Sequence, residues 1–200
     1  MNVYVETNFV LELAFMQEQY ESCLQIIELC RGNKIHLVIP AYSLVEPYEK
    51  MIRYEKNRRR LSGELKIELE QLGRSQSYSE QVNLFRDLTS FLVRTQEDQK
   101  QRLQDTITQL VQLAEIIPLN EEIILAAISF QTELDLTPQD SIVYASVISH
   151  LSNITGSNNG FLNRNSKDFG TPDIINSLAS YNCRILFSFE NGLGYIRSQI

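Results

Sequence analysis

The chain has 200 residues, 43% apolar and 22% charged, with a formal net charge of −7. That length and balance suit a globular protein with one good core, and the acidic charge argues against wrapping duplex DNA without regard to sequence. Three cysteines, Cys23, Cys30 and Cys183, occur without a CxxC pair, which argues against a disulfide framework or a zinc site.

Val3-Tyr4-Val5 opens the chain as a strand, with no basic lead and no long apolar stretch, so no signal peptide is expected. No apolar run of about 18 residues follows anywhere, so no transmembrane helix or membrane partner is expected. Cys23, Ile27 and Cys30 fall at helical spacing and read as reduced core thiols, which fits a cytoplasmic location. Ile35 to Ile39 is a second apolar run, stopped by Pro40. No proline occurs between Pro47 and Pro118, and three helical stripes fill the interval: Leu65, Leu69, Leu72; Leu84, Leu88, Phe91; and Leu103, Ile107, Leu110, Ala114. They predict a helical arm inserted at about 55–113, broken near Gly63 and around Gly73 to Tyr78.

Glu115 to Leu119 reads as a fifth short strand or an extended linker. Ile123, Ala127, Phe130 and Leu134 predict a helix capped by Asn120, and Thr137-Pro138 starts another that carries Tyr144, Ile148 and Leu151. A polar turn from Thr155 to Asn159 leads into the strand Gly160 to Leu162. Thr171-Pro172 repeats the helix-start signal, and Arg184 to Phe189 is the last strand. Short apolar strands alternating with helices predict one α/β domain over residues 1–200: a three-layer α/β/α fold, with a mostly parallel sheet of four or five strands, plus the arm.

In such a sheet, sites form beyond the carboxyl ends of the strands. Glu6 ends the first strand, Glu46 follows the second, Asp140 starts a helix and Asp168 follows a late strand. Hard divalent cations take oxygen ligands, and Mg²⁺ typically uses one or two carboxylates plus water and phosphate oxygens. Structural roles compete with this one. Ser43 with Glu46, and Thr137 with Asp140, have spacing at or near that of a capping box, and Asp168 suits a turn. Glu6, directly after a buried strand, must be solvated or paired. His36 and His150 lack companion ligands and read as structural. The basic run Lys50, Arg53, Lys56, Arg58, Arg59, Arg60 follows Glu46 on the same expected helix; it either tracks an RNA backbone or forms a salt-bridged face with Glu49, Glu55 and Glu64. Tyr48 and Tyr54 either stack on bases or pack.

Val5-Glu6-Thr7-Asn8, Glu46, Gln139-Asp140-Ser141 and Asn163-Arg164-Asn165-Ser166-Lys167-Asp168-Phe169, in that order, resemble the PIN-domain family at both ends of the chain. The resemblance implies an endoribonuclease dependent on Mg²⁺ or Mn²⁺, often the toxin of a toxin–antitoxin pair and often dimeric, that hydrolyses phosphodiesters with water activated at the metal. Glu6, Glu46, Asp140 and Asp168 would hold the metal as the catalytic acids, while Thr7, Asn8 and Asn165 would orient carboxylates or waters. Arg53, Arg58, Arg59 and Arg60 are the candidate RNA-binding residues. Single-stranded RNA, an antitoxin or other protein, and a second copy are the expected partners. Position 6 departs from the family pattern, which has Asp there; the extra methylene moves the carboxylate by about one C–C bond, and Mg²⁺ tolerates poor geometry badly. Glu12, a helical turn beyond Asn8, is a candidate to compensate. The departure supports an alternative, a PIN-like module that binds RNA or a protein without cutting and uses its arm as the interaction surface.

Overall fold

A computed structural model describes residues 1–154, 156 and 158–200, with the backbone alone at residues 79–81, 83, 84, 86, 87, 89, 90 and 93. In chain order the elements are β1 (Asn2–Val5), α1 (Thr7–Phe15), α2 (Tyr20–Arg31), β2 (His36–Pro40), α3 (Ala41–Leu72), α4 (Ser79–Leu113), β3 (Glu115–Ile117), α5 (Glu121–Glu133), α6 (Pro138–Ser152), β4 (Asn159–Leu162), α7 (Ser166–Phe169), α8 (Pro172–Ser180), β5 (Cys183–Leu186) and α9 (Phe189–Gln199). The strands form one sheet in the order β3-β2-β1-β4-β5, and every pairing is parallel.

Strand side chains alternate between two cores because the pleat has period two. Val3, Val5, Leu37, Ile39 and Leu162 enter a core shared with α1, α2, α9 and parts of α3 and α4. Tyr4, Val38 and Phe161 enter the opposite core with α5, α6 and α8. Parallel strands covered on both faces are apolar throughout, which is why these runs are legible as strands. Cys23, Ile27 and Cys30 lie in the first core as free thiols.

The arm departs from expectation in two ways. First, α3 runs through Gly63 without a break, roughly 48 Å in all. An isolated glycine costs a helix only about 1 kcal/mol, less than a break would forfeit in hydrogen bonds. The turn comes at Gly73 to Tyr78, where the Gly73 amide closes on the Leu69 carbonyl at 2.9 Å. Second, α4 does not remain outside the domain: Leu103 and Leu110 are fully buried in the first core against α1. Leu65 and Leu69 are half-buried, Leu88 and Phe91 are exposed, and the side chain of Leu84 lies outside the described residues, as do Thr155 and Ser157 of the predicted turn. The last strand is also shorter than expected. It ends at Leu186, because Ser188 caps α9 by accepting from the Asn191 amide at 3.0 Å and Phe189 turns into the first core.

Both histidines are structural and share one acid. At the amino edge of the sheet, His36 Nε2 lies 2.5 Å and His150 Nε2 3.1 Å from the Glu115 carboxylate. His150 Nδ1 meets the Tyr4 hydroxyl at 2.7 Å. These contacts fasten the three-residue edge strand β3 to β2 and α6, and the His36 contact, foremost, holds the Glu115 carboxyl below the usual carboxylate range.

At the opposite edge, Glu12 of α1 is fully buried and paired with Arg164, which follows β4. The other Glu12 oxygen accepts from the Gln19 amide at 2.8 Å. Glu12 is therefore committed to tying α1 to the turn after β4, and it does not compensate for Glu6. Removing one partner of a buried pair strands the other charge. Arg164→Met is expected to lower unfolding free energy in urea by about 2–4 kcal/mol, with Glu12→Gln/Arg164→Met recovering at least half of it. A loss under about 1 kcal/mol for the single variant would mean that water already screens the pair.

Candidate active site

From β1 the sheet grows outward one way through β2 and β3, and the other way through β4 and β5. The order reverses between β1 and β4, and a crevice opens beyond their carboxyl ends, where ligands bind in open α/β sheets. A cleft of about 300 Å³ lies there, walled by Glu6, Asn8, Glu46, Lys50, Arg53, Thr137, Gln139, Asp140, Val143, Asn163 and Asn165.

Glu6 leaves β1 as the N-cap of α1, and its Oε2 accepts from the Asn8 amide at 2.8 Å. Glutamate is an unusual cap, since shorter polar side chains fill the position more easily. Here the longer acid bends back on its own helix, and its Oε1 is left buried with no hydrogen-bond partner. Glu6 is 6% exposed. Burial pushes its carboxyl up to about 7, against the lowering effect of the Asn8 hydrogen bonds, the Lys50 charge and, least, the Arg164 backbone amide, which completes no hydrogen bond to Oε1.

Glu46, on the first turns of α3, has both oxygens engaged: Thr7 Oγ1 donates to Oε2, and Lys50 Nζ lies 3.2 Å from Oε1. Ser43 does not cap this helix; Pro40 occupies the N-cap position, and the Ser43 hydroxyl is buried without a partner. Asp140 sits in the first turn of α6. Thr137 caps that turn, accepting from the Asp140 amide at 3.2 Å and donating to Asp140 Oδ2 at 2.7 Å. Capping and a place on the cleft wall therefore coexist at Asp140. Partial burial, foremost, raises its carboxyl above the usual range, and Asp168 and Glu46 add to the rise.

Asp168, in the short helix α7, is not on the cleft wall. Asn165 links it inward, donating to Asp168 Oδ2 at 2.7 Å and to Asp140 Oδ2 at 3.3 Å. Asn165 thus orients two acids, and Thr7 orients a third. Asn163, buried behind the wall, accepts from the Asn165 amide at 2.7 Å and fixes the turn.

The structure does not gather the four acids around a single point. Among the described residues no three His, Cys, Asp or Glu side chains converge closely enough to hold a metal ion. Glu46 is already engaged by Thr7 and Lys50, and Asp168 lies off the cleft wall, joined to Asp140 through Asn165. The all-oxygen donor set still fits a hard divalent cation, because such an ion needs only one or two carboxylates, and Glu6 presents a buried oxygen with no other partner. Glu6 and Asp140, both on the cleft wall, are the acids that could hold such an ion.

The basic run divides. Arg58 donates to Gln99 at 2.7 Å, Arg59 pairs with Glu55, and Arg60 pairs with Glu64 at 2.9 Å, so these three lace the arm to itself. Arg53 lines the cleft. Tyr48 packs against the first core, while Tyr54 is exposed near the base of the arm. Lys50 belongs to the basic run expected to follow Glu46, and its i+4 relation to Glu46 is visible in the sequence, but its pairing with Glu46 is not expected there. Arg164 carried no such signal, since its partner lies 152 positions away.

A family model described as PIN domain matches residues 3–169, from β1 through α7. No curated protein matches the chain.

The raised Glu6 carboxyl has a consequence for stability. Its folded value, about 7, exceeds the ordinary 4.5. Between those values the folded state keeps a proton that the unfolded state has lost, so stability falls as pH rises through that window and levels off above it. In chelator-treated protein, Glu6→Gln is expected to remove most of this slope, leaving the part that the raised Asp140 carboxyl contributes, and to be about 3 kcal/mol more stable than the parent at pH 8. Parallel stability–pH profiles would mean that Glu6 is hydrated.

Proposed function

The chain belongs to the PIN-domain family, and from that premise we propose that it is an endoribonuclease acting on single-stranded RNA with Mg²⁺ or Mn²⁺. The observation that carries the reading is the unpartnered buried oxygen of Glu6, in a cleft shared with Asp140 at the switch point of a nuclease-type fold. Glu6 and Asp140 would hold the ion, with Glu46 joining when its present contacts are released and Asp168 acting through Asn165. A divalent cation bound there supplies Lewis-acid stabilisation of charge on the phosphate and the leaving oxygen.

The remaining work falls to the chain itself. Thr137 and Asn165 fix the Asp140 carboxylate so that it need not reorganise during reaction. Thr7 does the same for Glu46, and Asn8 fixes the bend of Glu6. Lys50 and Arg53, three positions apart on α3, place positive charge on the wall where an RNA phosphate would lie. Three free buried thiols are in keeping with the proposed reducing cytoplasm. On α5, Ile124, Leu125 and Ile128 expose an apolar face, which supports a protein partner, an antitoxin or a second copy.

Asp140→Asn is expected to lower Mn²⁺-dependent cleavage of single-stranded RNA by at least about a hundredfold with an unchanged melting temperature. Full activity in that variant would reduce Asp140 to a helix cap. If the parent neither binds Mn²⁺ nor cuts RNA, the reading gives way to a noncatalytic binding module. The division of the basic run makes a separate prediction. Arg53→Ala should flatten the log–log salt dependence of RNA binding by about 0.7, one phosphate contact. Replacing Arg58, Arg59 and Arg60 together by alanine should change the slope by less; a larger effect from that triple variant would place the RNA along the arm.

A further inference from the structure

Glu46 enters the cleft with neither oxygen free, and the two oxygens are held differently. Thr7 is buried on α1 and holds Oε2 through a fixed hydroxyl. Lys50 holds Oε1 at 3.2 Å with an ammonium at the end of a flexible stem, and its side chain is only 24% exposed. Lys50, Glu46 and Glu6 line the same cleft. A cation already stands at the oxygen Glu46 would present to a metal.

We infer that Lys50 is the resident counter-ion of the cleft: its ammonium holds Glu46 Oε1, Glu46 would have to give up that contact to help hold a divalent cation, and the ammonium so freed would be available to an RNA phosphate. The inference rests on the metal-dependent reading of the cleft and adds a residue to it. It places one positive charge of the chain's own beside the acids that line the cleft. It also places the released ammonium usefully, since Lys50 and Arg53 line the same wall. A single ion pair one helical turn apart on a helix contributes modestly, so the exchange opposes metal binding only modestly.

The test uses full-length protein stripped of metal, with Mn²⁺ isotherms at constant ionic strength for the parent, Lys50→Met, Lys50→Arg and Arg53→Met. Lys50→Met is expected to bind Mn²⁺ roughly two- to fivefold more tightly than the parent. Lys50→Arg should stay near the parent, because it keeps a cation on Glu46. Arg53→Met removes the same charge from the same cleft without releasing Glu46, and should change affinity less than Lys50→Met. Equal tightening by Arg53→Met and Lys50→Met would reduce the effect to net charge and overturn the inference, as would an unchanged Lys50→Met; in both cases the metal site itself survives. If none of the four proteins binds Mn²⁺, the metal-dependent reading falls, and the inference with it.

A second measurement follows the released ammonium. Binding of uncleavable 2′-O-methyl RNA is measured against salt, with and without Mn²⁺. With Mn²⁺, the parent's log–log slope should exceed that of Lys50→Met by about 0.7, and without it the two slopes should agree. Agreement under both conditions would overturn the release step.

Discussion

The architecture turns on the position of β1. It lies at the centre of a parallel sheet, hydrogen-bonded on both edges and covered on both faces. A strand so placed must be apolar, and the first polar residue after it emerges where the sheet order reverses. That residue is Glu6. The chain cannot hydrate it fully, because α1 begins at the next position and packs back on the sheet. The carboxyl is held in a partly satisfied state, with one oxygen on the Asn8 amide and the other alone. An unsatisfied buried oxygen is costly in a core and useful at a site, where a ligand can complete it.

Charge in the cleft is balanced locally. The chain carries a net −7, yet the acids around the crevice are each tied by a hydroxyl, an amide or a cation of the fold. Thr7, Thr137 and Asn165 hold carboxylates in place, Lys50 neutralises Glu46, and Arg164 neutralises the deeper Glu12. The basic residues farther along α3 are spent on the arm: Arg58, Arg59 and Arg60 bind Gln99, Glu55 and Glu64. Only the first turns of α3 serve the crevice, although the helix is continuous from Ala41 to Leu72.

The sequence by itself determined the layered α/β class, the positions of β1, β2 and β4 and the caps at Asn120 and Thr137. Those features are written in local patterns: runs of apolar residues, 3.6-residue spacing and a polar residue before a proline. It also marked the acids that lie near the strand ends, because their distance from each strand is short along the chain. It did not reveal that α3 would pass through Gly63, since continuity was decided by the helix pairing in the arm and not by one residue's propensity. Nor did it reveal that the C-terminal half of α4 would bury Leu103 and Leu110 beside α1. What only the tertiary structure decided was how the acids are used. Glu12 was a candidate for the cleft until Arg164, 152 positions away, claimed it. Glu46 and Asp168 matched the pattern equally well, but one is held by Thr7 and Lys50 and the other lies off the wall, bonded to Asn165. Spacing along a chain fixes which face a carboxylate is on and which near neighbours, such as Lys50 for Glu46 and Asn165 for Asp168, can reach it; the partners that come from distant segments, Thr7 for Glu46 and Arg164 for Glu12, are encoded by no local pattern.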